Sequence, residues 1–208
     1  MFDQVVAFCS RIRKDVYQEK PFAGGTDMVS GIVTEFLKRA EPKPYGKMLD
    51  VGCGRGEALN LFWHRWPFME VYGVTLGSGD AENCFKQGHD IAIADQTFLP
   101  VKTGIIDLCW VRHCLEHSPW PYMTLLELKR VMKDDGYLYI EVPTVGQKPG
   151  HEFNQNHYSV LTEEMWASLV WKSGFQFHCN RYYLNVDTEV GKDKFLCMIC
   201  RKGEDVLG

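Results

Sequence analysis

Lys47-Met48-Leu49-Asp50-Val51-Gly52-Cys53-Gly54-Arg55-Gly56-Glu57-Ala58-Leu59 decides how the rest of the chain is read. It begins as an apolar strand, passes through a glycine-rich turn and enters a helix. Gly52, Gly54 and Gly56 alternate with other residues, so the turn is tight and its backbone is bare. Glycine serves where φ must be positive or where a ligand must come close to the main chain. Asp50 stands just ahead of the turn, where a carboxylate can face whatever lies across the glycines. The stretch reads as a nucleotide-type cofactor site.

Outward from it, strands and helices alternate. Upstream, Phe2, Val5, Val6, Phe8 and Cys9 recur at helical spacing, and Pro21–Gly25 breaks that helix. A second helix is expected from Thr26 or Asp27, either serving as N-cap, to about Ala40. Downstream, helix 57–66 is followed by strand 70–76, helix 81–87, strand 91–94, strand 105–111, helix 121–131 and strand 137–142, with Lys133–Gly136 as a turn. Thr162 is placed to cap a helix that runs to Lys172. Phe175–Leu184 and Lys194–Arg201 then read as strands with no helix between them. Strand–helix alternation implies a parallel sheet covered on both faces, with the functional loops beyond the strands' carboxyl ends. The expected fold is therefore α/β: a Rossmann-like doubly wound sheet, mostly parallel, closed by a C-terminal antiparallel hairpin strand. One domain is expected over 1–208, with 1–46 as a helical cap and 47–208 as the cofactor-binding core.

Composition narrows the class. The chain has 208 residues, 45% of them hydrophobic and 24% charged, which is enough to bury a real core. A net charge of −4 gives no bulk attraction to nucleic acid or an anionic membrane. The eight cysteines are scattered, several inside apolar runs, as buried thiols of a reduced protein would be. Met1-Phe2-Asp3-Gln4 lacks the basic start and long apolar segment of a signal peptide, and no apolar run approaches a membrane span. A cytoplasmic location is expected. Cys197 and Cys200, three apart in a strand-like run, point to opposite faces and have no second ligand pair, so no metal is assigned.

A glycine turn alone would also suit a nicotinamide site, but that fingerprint is Gly-x-Gly-x-x-Gly. Here Asp50-x-Gly52-x-Gly54-x-Gly56 resembles the first motif of the class I S-adenosylmethionine-dependent methyltransferases. The likeness continues in Asp95-Gln96-Thr97-Phe98-Leu99-Pro100, in Ile106-Asp107-Leu108 followed by His113-Cys114-Leu115-Glu116-His117, in Leu128-Lys129-Arg130-Val131-Met132-Lys133 with Gly136, and in Gly174-Phe175 ahead of two strands. It covers about 47–201.

This resemblance implies S-adenosylmethionine as cofactor, held by Asp50, Gly52, Cys53, Gly54, Gly56, Thr75, Asp95, Gln96, Arg112 and His113. Asp50 is expected toward the methionine end, Asp95 at the adenine amino group with Gln96 beside the ring, and 111–113 along the sulfonium. Strand 2 ends in Thr75 where the family usually places an acid for the ribose hydroxyls; Val74-Thr75-Leu76 resembles the version in cyclopropane-fatty-acid and related lipid methyltransferases, and Ser78 or Asp80 is the expected substitute. His113, His117 and His157 are the candidate general bases, with His151 beside them. His113-x-x-Glu116-His117 does not suit a zinc-protease helix, because it follows a parallel strand. A magnesium reading is weakened by the imidazole at position 113. Glu116 and His117 are expected to position the loop beside the cofactor. The loop 150–159 lacks the Asn-Pro-Pro-Tyr signature of enzymes that methylate nucleic-acid amines. The expected acceptor is a small molecule or glycan oxygen or nitrogen; a nucleic-acid or protein methyltransferase and a non-catalytic cofactor-binding protein are the alternatives.

Overall fold

The computed structural model describes residues 25–147, 150–188 and 191–203. The helix expected near the start of the chain lies outside them. In chain order the elements are α1 (Gly25–Ala40), β1 (Tyr45–Val51), α2 (Glu57–Arg65), β2 (Phe68–Thr75), α3 (Ser78–Lys86), β3 (Asp90–Ile93), β4 (Ile106–Arg112), α4 (Pro121–Val131), β5 (Met132–Pro143), α5 (Glu163–Lys172), β6 (Phe175–Phe177), β7 (Tyr182–Thr188) and β8 (Gly191–Lys202). Short 3-10 turns occupy Leu115–His117 and His151–Phe153.

The eight strands form one sheet in the order β3-β2-β1-β4-β5-β8-β6, with β7 also paired to β8. Strands β1 to β5 are mutually parallel, and β8 runs antiparallel to β5, β6 and β7. The expected mostly parallel sheet with a closing hairpin is what forms. One expected strand, 175–184, is two: residues 178–181 interrupt it, so β6 and β7 each pair with a different part of β8. The expected turn 133–136 is a detour inside a ladder. Met132 pairs with Ile106 and Tyr137 with Leu108, leaving Lys133–Gly136 opposite Asp107. Lys133 Nζ donates to both Asp107 oxygens at 2.8 Å, which closes the detour.

Strand periodicity sorts the core into two layers. Leu49, Val51, Cys109, Val111, Leu138, Ile140, Met198 and Cys200 face α4 and α5 through Leu125, Leu128, Trp166 and Val170. Met48, Leu108, Trp110, Tyr139, Cys197 and Ile199 face α1 and α2 through Phe36 and Phe62. Cys197 and Cys200 thus lie on opposite faces. Trp110 stacks on Tyr139 with ring centres 4.0 Å apart, and Phe36 meets both rings edge-on. Within the segment expected as a helical cap, α1 covers one face of the sheet. Thr162 caps α5, its hydroxyl accepting from Met165 N at 3.2 Å.

Candidate functional site

The carboxyl ends of the parallel strands are Val51, Thr75, Ile93, Arg112 and Pro143, so the loops that follow them share one rim. After β1 the chain turns through Gly52, Gly54 and Gly56, with φ of +80°, +50° and +89°. These glycines are required for different reasons. A Cβ on Gly52 would sit 2.8 Å from Cys114 Sγ, and one on Gly56 would lie 3.1 Å from Cys84 Sγ. A Cβ on Gly54 would meet no protein atom, so only its conformation and the space above it ask for glycine. Gly52 N and Cys53 N both donate to Val74 O, which ties the turn to β2. The Cys53 side chain is buried near Gly73 and Cys84, so any role at the rim falls to its backbone.

Asp50 is buried at the end of β1, on the face that carries Trp110 and Arg112. Burial raises its carboxyl to about 7; the Arg112 charge pulls down and Glu57 pushes up. A carboxylate held that high is poised to ionise when a cation arrives.

Thr75 is buried, and its Oγ1 accepts from Gly77 N at 3.3 Å. Asp80, in the first turn of α3, has Oδ1 4.0 Å from Arg55 Nε. Beyond β3, Asp95 Oδ1 accepts from Thr97 N at 2.8 Å, which fixes the carboxylate while leaving its second oxygen outside that bond. Gln96 clasps the loop after β4: its Nε2 donates to Cys114 O at 2.9 Å, and its Oε1 accepts from Cys114 Sγ at 3.1 Å. Asp50, the glycine turn, Thr75, Asp95 and Gln96 therefore occupy the carboxyl ends of three neighbouring strands, β1, β2 and β3, or the loops just beyond them.

Arg112 and His113 belong to a buried network that the sequence reading missed. Glu141, fully buried on β5, receives Arg112 Nε at 3.0 Å and Nη2 at 2.9 Å, His113 Nε2 at 2.9 Å and Tyr139 OH at 2.9 Å. Burial alone would raise the Glu141 carboxyl, but Arg112 and His113 hold it well below the usual range. Burial would discharge His113, yet hydrogen bonds to Glu116 and Glu141 raise its pKa to about 9. Of the histidines expected as bases, His113 is the one whose surroundings oppose that role: at neutral pH it already carries its proton. Its φ of +47° is the cost of turning the ring back onto Glu141. The available signal was Glu141 itself, a carboxylate inside the apolar run Leu138–Val142.

The remaining histidines gather beside it. His151 and His157 stack with centres 5.6 Å apart, His117 meets His157 at 4.8 Å, and Phe195 lies against both His113 and His151. His151 Nε2 is 2.9 Å from Oδ2 of the buried Asp193, another residue the sequence did not single out. Adjacent strands β4 and β5 explain the gathering, since these histidines follow one or the other. Glu116, His117 and His157 each offer a metal-ligand atom, and those atoms all lie within 4.8 Å of one another.

A family model described as a methyltransferase domain matches residues 27–180. The malonyl-[acyl-carrier protein] O-methyltransferase of Paenibacillus sp. strain JDR-2 is 25% identical over 174 residues, 73% of this chain and 60% of that protein. The trans-aconitate 2-methyltransferase of Enterobacter sp. strain 638 is 25% identical over 123 residues, 56% of this chain and 47% of that protein. The chain thus spans about half to three fifths of these curated relatives. A SAM-dependent methyltransferase from Archaeoglobus fulgidus superposes with a TM-score of 0.68 at 16% identity, covering 87% of this chain and 96% of that one. Among the described residues no helix is long and apolar enough to cross a membrane.

Proposed function

Because the chain belongs to the methyltransferase-domain family matched over residues 27–180, we propose that it transfers the methyl group of S-adenosylmethionine to an oxygen or nitrogen of a small-molecule or glycan acceptor. One observation carries the reading. A buried carboxylate, three positive-φ glycines and the N-terminus of α2 follow one another without interruption at the carboxyl end of the central strand. That sequence of groups suits an amino acid moiety: Asp50 for its ammonium, and the turn and helix N-terminus for its carboxylate. Asp95 and Gln96 take the adenine, and Thr75 offers a hydroxyl to the ribose, with Asp80 next along the rim. Arg112 shapes the wall by the sulfonium through its clamp on Glu141.

The chemistry asks little more than alignment. The acceptor lone pair forms the new bond to the methyl carbon as the carbon–sulfur bond breaks, and sulfur keeps that electron pair as a neutral thioether. The sulfonium is already a good leaving group, so in-line positioning and exclusion of water supply most of the acceleration. A hydroxyl or ammonium acceptor must also release a proton; in the absence of a bound cation we assign that task to His117, His157 or His151. The two curated relatives are named for acceptors bearing carboxyl groups, which puts small carboxylates first among the candidates.

The test is turnover of methyl-labelled S-adenosylmethionine against small carboxylic acids, hydroxylated metabolites, glycans, RNA and protein. Acceptor-dependent release of S-adenosylhomocysteine with one of the first three supports the reading. Turnover confined to RNA or protein would replace the acceptor class. Saturable binding with no turnover on any acceptor would make this a cofactor-binding protein.

A further inference from the structure

We propose that Glu116, His117 and His157 form a binding site for a divalent first-row transition cation of the zinc, cobalt or manganese kind. The ligand atoms lie within 4.8 Å of one another. First-row ions bind imidazole nitrogen and carboxylate oxygen at about 2.0–2.2 Å, which sets neighbouring ligands roughly 3–4 Å apart. Modest side-chain movement closes that gap.

Three further observations point to a cation. Glu116 is 1% exposed, and while its Oε1 lies 3.4 Å from His113 Nδ1, its Oε2 has no hydrogen-bond partner. A buried carboxylate oxygen left in that state is costly, and a metal ion relieves the cost. Second, both imidazoles have one nitrogen fixed by a main-chain carbonyl: His117 Nδ1 lies 2.8 Å from Asn156 O, and His157 Nδ1 lies 2.8 Å from His151 O. A carbonyl can only accept, so each ring donates from Nδ1 and presents Nε2 as its ligand atom. That outer-shell arrangement orients histidine ligands at metal centres. Asn154 Nδ2 lies 3.4 Å from His157 Nε2, a long contact that an ion would displace. Third, the two ligand-bearing segments are stapled together, because Tyr158 N and Ser159 N donate to Glu116 O at 2.8 and 3.0 Å and Ser159 Oγ donates to Ser118 O at 2.9 Å.

Two imidazoles and one carboxylate select a borderline ion over magnesium, which prefers oxygen alone. Three protein ligands leave positions open on the ion. Where the methyl-transfer reading holds, an acceptor hydroxyl or carboxylate coordinates there, and the ion lowers the affinity of that oxygen for its proton. The cation site itself does not depend on that reading.

The test titrates the full, cofactor-free chain with Co²⁺, Zn²⁺ and Mg²⁺ separately, following visible cobalt absorption and heat. The expected result is one Co²⁺ per chain, displaced by Zn²⁺, with Mg²⁺ much weaker. His157→Ala and Glu116→Gln, each checked for folding by circular dichroism, should bind Co²⁺ at least tenfold more weakly. Equal affinity in wild type and a folded variant would overturn the site, as would an intense thiolate-to-cobalt band placing the ion on cysteines. Titrating S-adenosylmethionine into the same metal-free samples separates the claims: cobalt binding without cofactor binding leaves the site standing and removes the methyl-transfer reading.

Discussion

Asp50→Asn should make the cofactor-free protein more stable while weakening its hold on S-adenosylmethionine. Asp50 is buried, and its carboxyl is raised from an ordinary 3.8 to about 7. For an acid whose folded pKa is raised, the folded state holds the proton more tightly than the unfolded one. Stability is therefore lost as pH rises from near 4 toward 7 and is level above that. At roughly 1.4 kcal/mol per pH unit of that interval, ionised Asp50 costs about 4 kcal/mol at about pH 8. Asparagine keeps the shape without the charge, so the gain corresponds to roughly 8–16 °C in Tm for a domain of this size. At about pH 5.5 around half of it remains, because half the interval has then been crossed. The assay is thermal unfolding of both proteins at the two pH values, without and with cofactor. The variant should also lose a charge-assisted hydrogen bond to the ligand ammonium, about 1.5–3 kcal/mol, or tenfold and more in Kd. A variant less stable than wild type at the higher pH, or stabilised equally at both, would refute the reasoning.

Other perturbations separate architecture from ligand contact. Gly54→Ala should weaken cofactor binding with an apo stability loss of only about 1–2 kcal/mol, since the new methyl meets no protein atom and only the backbone conformation resists it. Gly52→Ala should lose more stability, because the same change drives a Cβ to within 2.8 Å of Cys114 Sγ; denaturant midpoints compare the two. Removing the carboxylate in Glu141→Ala leaves the largely buried Arg112 charge without its partner and should cost about 3–5 kcal/mol by urea unfolding. Asp95→Ala should raise the Kd for S-adenosylmethionine at least tenfold in calorimetry, and unchanged affinity would remove Asp95 from the adenine site.

Local chemistry wrote the legible parts of this chain. The alternation of apolar strands and amphipathic helices, the glycine turn, the Thr162 cap and the opposed faces of Cys197 and Cys200 each depend on a few neighbouring residues. Features that depend on strand order were not legible. His117 and His157 are forty residues apart in sequence, and only the pairing of β4 with β5 makes them neighbours. Asp193 meets His151 because β8 inserts between β5 and the outer strands, which no periodicity announces. The detour 133–136 looks like a turn because its residues are turn formers; that the ladder continues on both sides is a tertiary fact. Thr75 stays between the two kinds. Its identity was plain, but the engagement of its hydroxyl by Gly77 N, just ahead of α3, shows only in the folded loop.

The most direct test of the central claim is calorimetric titration of S-adenosylmethionine into the folded chain at neutral pH. Saturable binding of one cofactor per chain, lost or much weakened in Asp95→Ala, is the predicted result. No heat at millimolar ligand, with folding verified in the same sample, would contradict it.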